Sequence, residues 1–307
     1  MSCTTWAPSN RIRIWMLLLV LAGTTAFGQN TILGALEDVP GNYTDTPNSR
    51  SVRVIFQKKG DDWQPFPSKC PAQDCLKKIS SEYPGEVVWT IGFDGRILGR
   101  VTGKTPEDFV FYSHIGLQNI IGGHNIPTVG KRSTEYGGYI DAMVYRPLVA
   151  NSQPQFKDPE SWKPSQLPTD LTRLVRQGFR QKFPKLCKVS KRNGAKVEPF
   201  YYRDDDVRLG KAYISRKHWV LIRVWLHDAI GCGDAEAGSE IDDMWFVIDP
   251  LKSIRYLGEG MRLVDAGDYD NDGKSELLFS INRDNKGGYE LFYHDFKSHA
   301  IFEFDYH

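Results

Sequence analysis

A short segment near the C-terminus places acidic side chains on alternate residues and leads directly into an apolar strand. Asp268, Asp270 and Asp272 occupy positions 1, 3 and 5 of this segment, and Glu276 occupies position 9. Hard divalent cations such as Ca²⁺ bind about six to eight oxygen atoms at short range. Carboxylates this close repel one another unless a cation lies between them. The segment therefore predicts a Ca²⁺ site at a turn between two strands.

The details of the loop separate it from an EF-hand. Gly273 permits a sharp turn, and the backbone carbonyl of Lys274 is the expected additional oxygen ligand. An EF-hand has an acid at position 12, whereas this loop has Phe279 there. A strand, Leu277–Ile281, follows where an EF-hand has a helix. The alternative interpretation is an acidic, solvated turn between strands.

The order Asp-x-Asp-x-Asp-Gly-x-x-acid, followed at once by a strand, resembles the calcium loops of FG-GAP (VCBS-type) repeats. Such repeats form the blades of integrin-like β-propellers, and the resemblance covers roughly residues 261–307. It implies side-chain oxygens from four acids and a carbonyl oxygen from one lysine: Asp268, Asp270, Asp272, Glu276 and Lys274. The family usually has Asp where this chain has Glu276, and it usually has several loops where this chain has one clear copy.

Most of the chain shows β-branched and aromatic residues between Gly, Asp, Asn and Pro turns, which indicates strands. Met244–Tyr256 and Leu291–Glu303 share a strand–Asp–turn–strand pattern with Lys-Ser in the turn, and Val87–Gly99 is a looser copy. A unit of roughly 45 residues suits a propeller blade. Four strands are expected to form the last blade as a meander: Met261–Ala266, Leu277–Ile281, Tyr289–His294 and Ala300–Phe304. The alternative is that unrelated hairpins align this well.

The predicted fold is thus all-β, mainly antiparallel, with propeller-like blades and one inserted helix; a β-sandwich is the alternative. The helix is predicted over Thr169–Phe183, where apolar residues recur at helical spacing, with Thr169 as its cap and Pro184 at its end. Trp162 lies in a Pro-rich polar stretch, residues 153–168, and is expected to be exposed.

The N-terminus has the pattern of an export signal. Arg11 and Arg13 precede the short apolar run Ile14–Ala22, and small residues at Ala26–Gly28 suit cleavage. We therefore predict a signal peptide over residues 1–28, a secreted, periplasmic or cell-surface location, and no membrane span after its removal. An uncleaved anchor is the alternative.

After the predicted signal peptide, the sequence indicates three regions. The expected regions are an N-terminal β region, a Pro-rich linker with the helix, and a C-terminal β region with the calcium loop: residues 29–150, 151–190 and 191–307. A single domain over 29–307 is the alternative. The chain has 39 Lys and Arg residues against 38 Asp and Glu residues and shows no basic block, so nucleic acid is not an expected partner.

Four cysteines follow the predicted signal, which indicates disulfides in an exported protein. Cys70 and Cys75 are close enough to form a local loop, leaving Cys187 with Cys232. Three pairings are compatible with the sequence.

The sequence singles out no catalytic residue, because the nucleophile-elbow, metalloprotease and phosphate-loop motifs are absent from it. The leading hypothesis is an exported, calcium-stabilised, non-catalytic module that binds a protein or a glycan. The alternative is a secreted hydrolase of polysaccharide or ester bonds, using His227 with acids of residues 204–206 or 234–243.

Overall fold

The computed structural model describes Met1 and residues 31–39, 49–129, 146–190, 196–227, 229–232, 243–283 and 285–306. The predicted signal peptide, Asp228 and most of the acidic loop 234–243 lie outside these residues. Every pairing between described strands is antiparallel. The prediction of a mainly antiparallel all-β fold is confirmed.

The first seven strands form a sheet that closes on itself. They are β1 Ile32–Val39, β2 Ser49–Lys59, β3 Asp62–Pro65, β4 Glu86–Phe93, β5 Arg96–Lys104, β6 Leu117–Gly122 and β7 Leu148–Asn151. The order β1-β7-β4-β5-β6-β2 is closed by pairing of β1 with β2, and β3 adds to β2. Six strands thus make a barrel-like sheet in which each strand pairs with at least two others.

The hairpin expected at Val87–Gly99 is present as β4 and β5. Asp94 and Gly95 form its turn with φ of 52° and 68°, values that suit an Asp-Gly hairpin turn. The hairpin belongs to the barrel-like sheet, so the looser third copy is not a blade. Two further pairings place the hairpin in this sheet, because β7 pairs with β4 and β6 pairs with β5.

Two meanders follow the barrel. The first consists of β11 Arg208–Ile214, β12 Val220–Trp225, β13 Met244–Ile248 and β14 Ile254–Gly258, with β8 Lys163–Ser165 added beside β11. The second consists of β15 Met261–Gly267, β16 Glu276–Arg283, β17 Lys286–Tyr293 and β18 Ser298–Asp305, in that spatial order. A short ribbon, β9 Cys187–Ser190 with β10 Lys196–Pro199, precedes them. The predicted final meander is confirmed.

Two helices interrupt the strands, α1 Cys75–Ser80 and α2 Thr169–Lys182. The predicted long helix is confirmed as α2, but the capping role of Thr169 is wrong. Pro168 occupies the cap position and no side chain caps the helix; instead the N–H of Thr172 donates to the carbonyl of Pro168 at 2.9 Å. Thr169 is already inside the first turn, where its side chain cannot serve as the N-cap.

The final meander is apolar on both faces, since alternate side chains point in opposite directions. Leu278, Leu291 and Phe302 join the hydrophobic cluster of the barrel. Phe279 and Phe292 join a second cluster with Trp245 of β13. The meander therefore lies between the barrel and the five-stranded sheet.

Trp162 is buried, so the prediction that it is exposed is wrong. Its side chain is only 9% exposed, and its ring lies 6.0 Å from that of Phe296 in the cluster between the meander and the five-stranded sheet. The polar stretch around Trp162 crosses between these two sheets, so its large apolar ring is buried although its neighbours in sequence are polar.

Two disulfides join Cys70 to Cys75 and Cys187 to Cys232, with Cα separations of 5.7 and 5.0 Å. This is the pairing that the local-loop argument favoured. Disulfides are compatible with an extracellular protein. Among the described helices, none has the length and apolar character needed to cross a membrane.

Candidate metal centre

The turn from β15 to β16 brings three predicted ligands together. Asp268, Asp270 and Glu276 each offer a carboxylate oxygen, and these oxygens lie within 4.8 Å of one another. The strand register explains why residues far apart in the loop meet, because Gly267 pairs with Glu276 across β15 and β16. This pairing places Glu276, the last acid of the loop, close to Asp268, the first.

Backbone N–H groups hold these carboxylates in place. Asp268 Oδ2 accepts from Gly273 N at 2.9 Å, and Glu276 Oε2 accepts from Tyr269 N at 2.7 Å. Asp270 Oδ1 accepts the N–H of the residue two positions later at 3.2 Å. The loop is tight because Gly273 has a φ of 88°, which glycine adopts at little cost. Each acid of the triad thus keeps one carboxylate oxygen that no loop N–H binds.

Asp268 provides the observation that most directly indicates a cation. It is only 9% exposed, and its Oδ1 is buried without a hydrogen-bond partner among the described residues. A buried, unsatisfied carboxylate oxygen costs about 1–3 kcal/mol, and more when charged. A cation bound by the triad would supply the missing partner, so the residues fit a metal ion.

The pKa shifts agree with this geometry. Burial, followed by the charge of Asp270, raises the pKa of Glu276 to about 9, although its hydrogen bond from Tyr269 opposes the shift. Burial also raises the pKa of Asp268. The site therefore resists holding all its negative charges at once unless a positive charge enters it.

One positive charge already lies at the site. Lys58 of β2 forms an ion pair with Asp270, and the two side chains are 15% and 4% exposed. The same ammonium lies 5.5 Å from the ring centroid of Trp63 and 6.0 Å from that of Tyr293. Sequence analysis missed Lys58, because it is brought to the loop only by packing of the barrel against the meander.

The linker before α2 also binds the loop. The N–H of Asp268 donates to the carbonyl of Lys157 at 2.7 Å, and Ser275 Oγ donates to Asp158 at 2.6 Å. Asn151 of β7 donates through Nδ2 to the carbonyl of Tyr269 at 2.8 Å. The loop is thus a junction between the barrel, the linker and the final meander.

The other two predicted ligands lie at the outer side of the loop. Asp272 is exposed, is not part of the triad, and accepts the N–H of Lys274 at 2.8 Å. The side-chain ammonium of Lys274 lies 3.7 Å from Asp295. Ligation by Asp272 and by the carbonyl of Lys274 stays a prediction, as does the choice of Ca²⁺.

The residues of the hydrolase alternative have other partners. Exposed His227 accepts a hydrogen bond from Trp225 Nε1 at 3.2 Å through its Nε2. Asp204 and Asp205 form ion pairs with arginines of α2. Asp228 and residues 234–242 lie outside the described part of the chain.

Comparison of this chain with known protein families, curated proteins and solved structures found no match. Its resemblance to FG-GAP repeats therefore stays a prediction.

Proposed function

We propose that this protein is an exported, non-catalytic β-rich module that binds a protein or glycan at the cell surface or in the periplasm, and that Ca²⁺ stabilises its fold. The buried, unpartnered oxygen of Asp268 within the triad carries the metal part of this proposal. The two disulfides support export, since such bonds persist in oxidising compartments.

Calcium suits the donor set better than a transition metal. The triad offers only carboxylate oxygens, which are hard ligands, and neither imidazole nor thiolate belongs to it. Asp272, the carbonyl of Lys274 and water would complete a coordination number of about six to eight. In this arrangement the loop is of the FG-GAP type.

The proposed role of the ion is structural. A cation at the triad offsets the repulsion among buried acids at the point where barrel, linker and meander meet. Because it binds the folded state, it stabilises by mass action, by about 2.7 kcal/mol at a free concentration of about 100 times Kd.

The test combines calorimetric titration with thermal melting of the mature protein in Ca²⁺, in Mg²⁺ and in EDTA. We expect stoichiometric Ca²⁺ binding and a melting temperature several degrees higher in Ca²⁺ than in EDTA. Asp268→Asn should abolish this increase. In EDTA the same variant should be at least as stable as the wild type, because one buried, unpartnered charge is gone.

Asp205→Asn is the matched control, since Asp205 has a side chain that is 90% exposed and lies outside the loop. It should keep the full calcium response. Absence of heat on titration, together with identical melting in Ca²⁺ and EDTA, would overturn the proposal.

A further inference from the structure

The outer face of α2 carries a row of arginines. Arg173, Arg176 and Arg180 follow one another at spacings of three and four residues, which places them on one side of a helix. The opposite side of α2 packs Val175 and Phe179 against the five-stranded sheet. The arginine side borders a groove of about 290 Å³ lined by Arg173, Arg176, Gln177, Arg180, Gln181 and Asp204. The groove is open, and its volume lies just below the range of about 300–1,000 Å³ that is typical of small-ligand sites.

Arg180 is held in a fixed position at one end of this groove. Its Nη2 lies 2.6 Å from Asp204, its Nε donates to the same carboxylate at 2.8 Å, and its guanidinium lies 4.8 Å from the ring centroid of Tyr202. The side chain is nevertheless 44% exposed. A guanidinium fixed in this way loses little conformational entropy when it binds a ligand.

Arg176 has unused hydrogen-bonding capacity at the middle of the groove. Its side chain is 28% exposed, and its Nε is buried without an acceptor among the described residues. Its Nη2 lies 3.5 Å from Asp205, longer than the usual charge-assisted distance of about 2.7–2.9 Å. Because the partner carboxylate is 90% exposed, this ion pair is weak and an incoming anion can replace it.

The remaining lining groups favour a hydroxyl-bearing ligand. The amides of Gln177 and Gln181 both donate and accept, as sugar hydroxyls do. Gln181 is shared with a neighbouring groove of about 250 Å³, where Lys182 lies 4.8 Å from the ring centroid of Tyr256. The combination provides cations for acid groups and amides for hydroxyls.

We propose that α2 binds an acidic oligosaccharide, with Arg173, Arg176 and Arg180 contacting its carboxylate or sulfate groups. This rests on the proposed binding function, from which it selects a glycan as the ligand and α2 as the site. The two grooves share Gln181.

The experiment measures binding to the calcium-loaded mature protein by isothermal titration. The probes are a carboxylated galacturonic acid hexamer, a sulfated heparin hexasaccharide, neutral maltohexaose and sodium sulfate. We expect at least one acidic oligosaccharide to bind, with affinity that falls as salt rises, and no binding of maltohexaose. Arg176→Gln should weaken binding about tenfold, the loss expected for one charge-assisted contact. Asp205→Asn should strengthen binding severalfold, because it removes the competing carboxylate.

Arg96→Gln is the matched control, since it removes one positive charge at an exposed residue beside the β4–β5 turn. It should leave the affinity for the acidic oligosaccharide unchanged. Equal weakening by Arg96→Gln and Arg176→Gln would overturn the assignment to α2, and equal affinity for sodium sulfate would overturn the sugar assignment. Normal calcium stabilisation without oligosaccharide binding refutes only the α2 site. Oligosaccharide binding without calcium stabilisation refutes only the metal centre.

Discussion

Burial also affects an acidic residue that lies outside the metal loop. Asp265 of β15 is only 4% exposed; its Oδ1 accepts the N–H of Asp94 at 3.1 Å, and its Oδ2 is buried without a partner among the described residues. Burial raises the pKa of Asp265 from 3.8 to about 7, although the charge of Arg146 opposes the shift. Unlike the triad acids, Asp265 has no alternate-acid pattern around it, so nothing in the sequence indicates its burial.

The raised pKa of Asp265 makes stability depend on pH. Because the folded pKa lies above the unfolded value, the folded state binds an extra proton between about pH 4 and pH 7. The free energy of unfolding should therefore decrease as pH rises through this window and level off above it, by at most about 4 kcal/mol for this group. Asp265→Asn should flatten the profile and gain most over the wild type near pH 8. Urea denaturation in Ca²⁺ at several pH values measures this; parallel profiles for the two proteins would contradict it.

At the scale of elements, the metal loop depends on two strands that lie far from it in sequence. Lys58 on β2 reaches Asp270, and Asn151 on β7 reaches the backbone of Tyr269. The local part of the site follows from sequence, because alternate acids and Gly273 specify a tight turn whatever surrounds it. The position of Lys58 does not follow from the sequence, since it depends on the packing of β2 and β3 against β18.

Lys58→Met should destabilise the calcium-free protein by about 3 kcal/mol, because it leaves Asp270 buried without its partner. The loss should be smaller in saturating Ca²⁺, since the cation then neutralises the same carboxylate. Chemical denaturation in EDTA and in Ca²⁺ gives both values. The neighbouring residue Lys59 is exposed, so Lys59→Met is the matched control and should change stability little in either buffer. An equal loss in both buffers for Lys58→Met would show that the lysine acts independently of the metal loop.

At the scale of the whole molecule, periodicity in the sequence predicted elements better than it predicted their arrangement. The final meander, the long helix and the Asp94-Gly95 hairpin follow from local patterns of two- and 3.6-residue periodicity. The barrel-like sheet also needs β7 between β1 and β4, and no local pattern specifies these two pairings. The arginine row on α2 was missed for a related reason: its residues are separated by apolar and neutral ones in sequence and align only at helical spacing.

The barrel and the final meander share one hydrophobic cluster, and a polar contact crosses the same boundary. Phe302 of β18 is fully buried in that cluster, and the hydroxyl of Tyr289 donates to Glu37 of β1 at 2.7 Å. We therefore expect the two parts to unfold together.

Phe302→Ala should lower the free energy of unfolding by about 3–5 kcal/mol, as expected for a large cavity in a packed core. Because the cluster is shared, hydrogen exchange should show the same loss of protection in β1 and β2 as in β16 and β17. Phe111→Ala, at a side chain that is 50% exposed, is the control and should change stability far less. Loss of protection confined to the meander would mean that the barrel folds as a separate cooperative unit. In that case the metal loop would join two units across an interface and would not lie inside a single one.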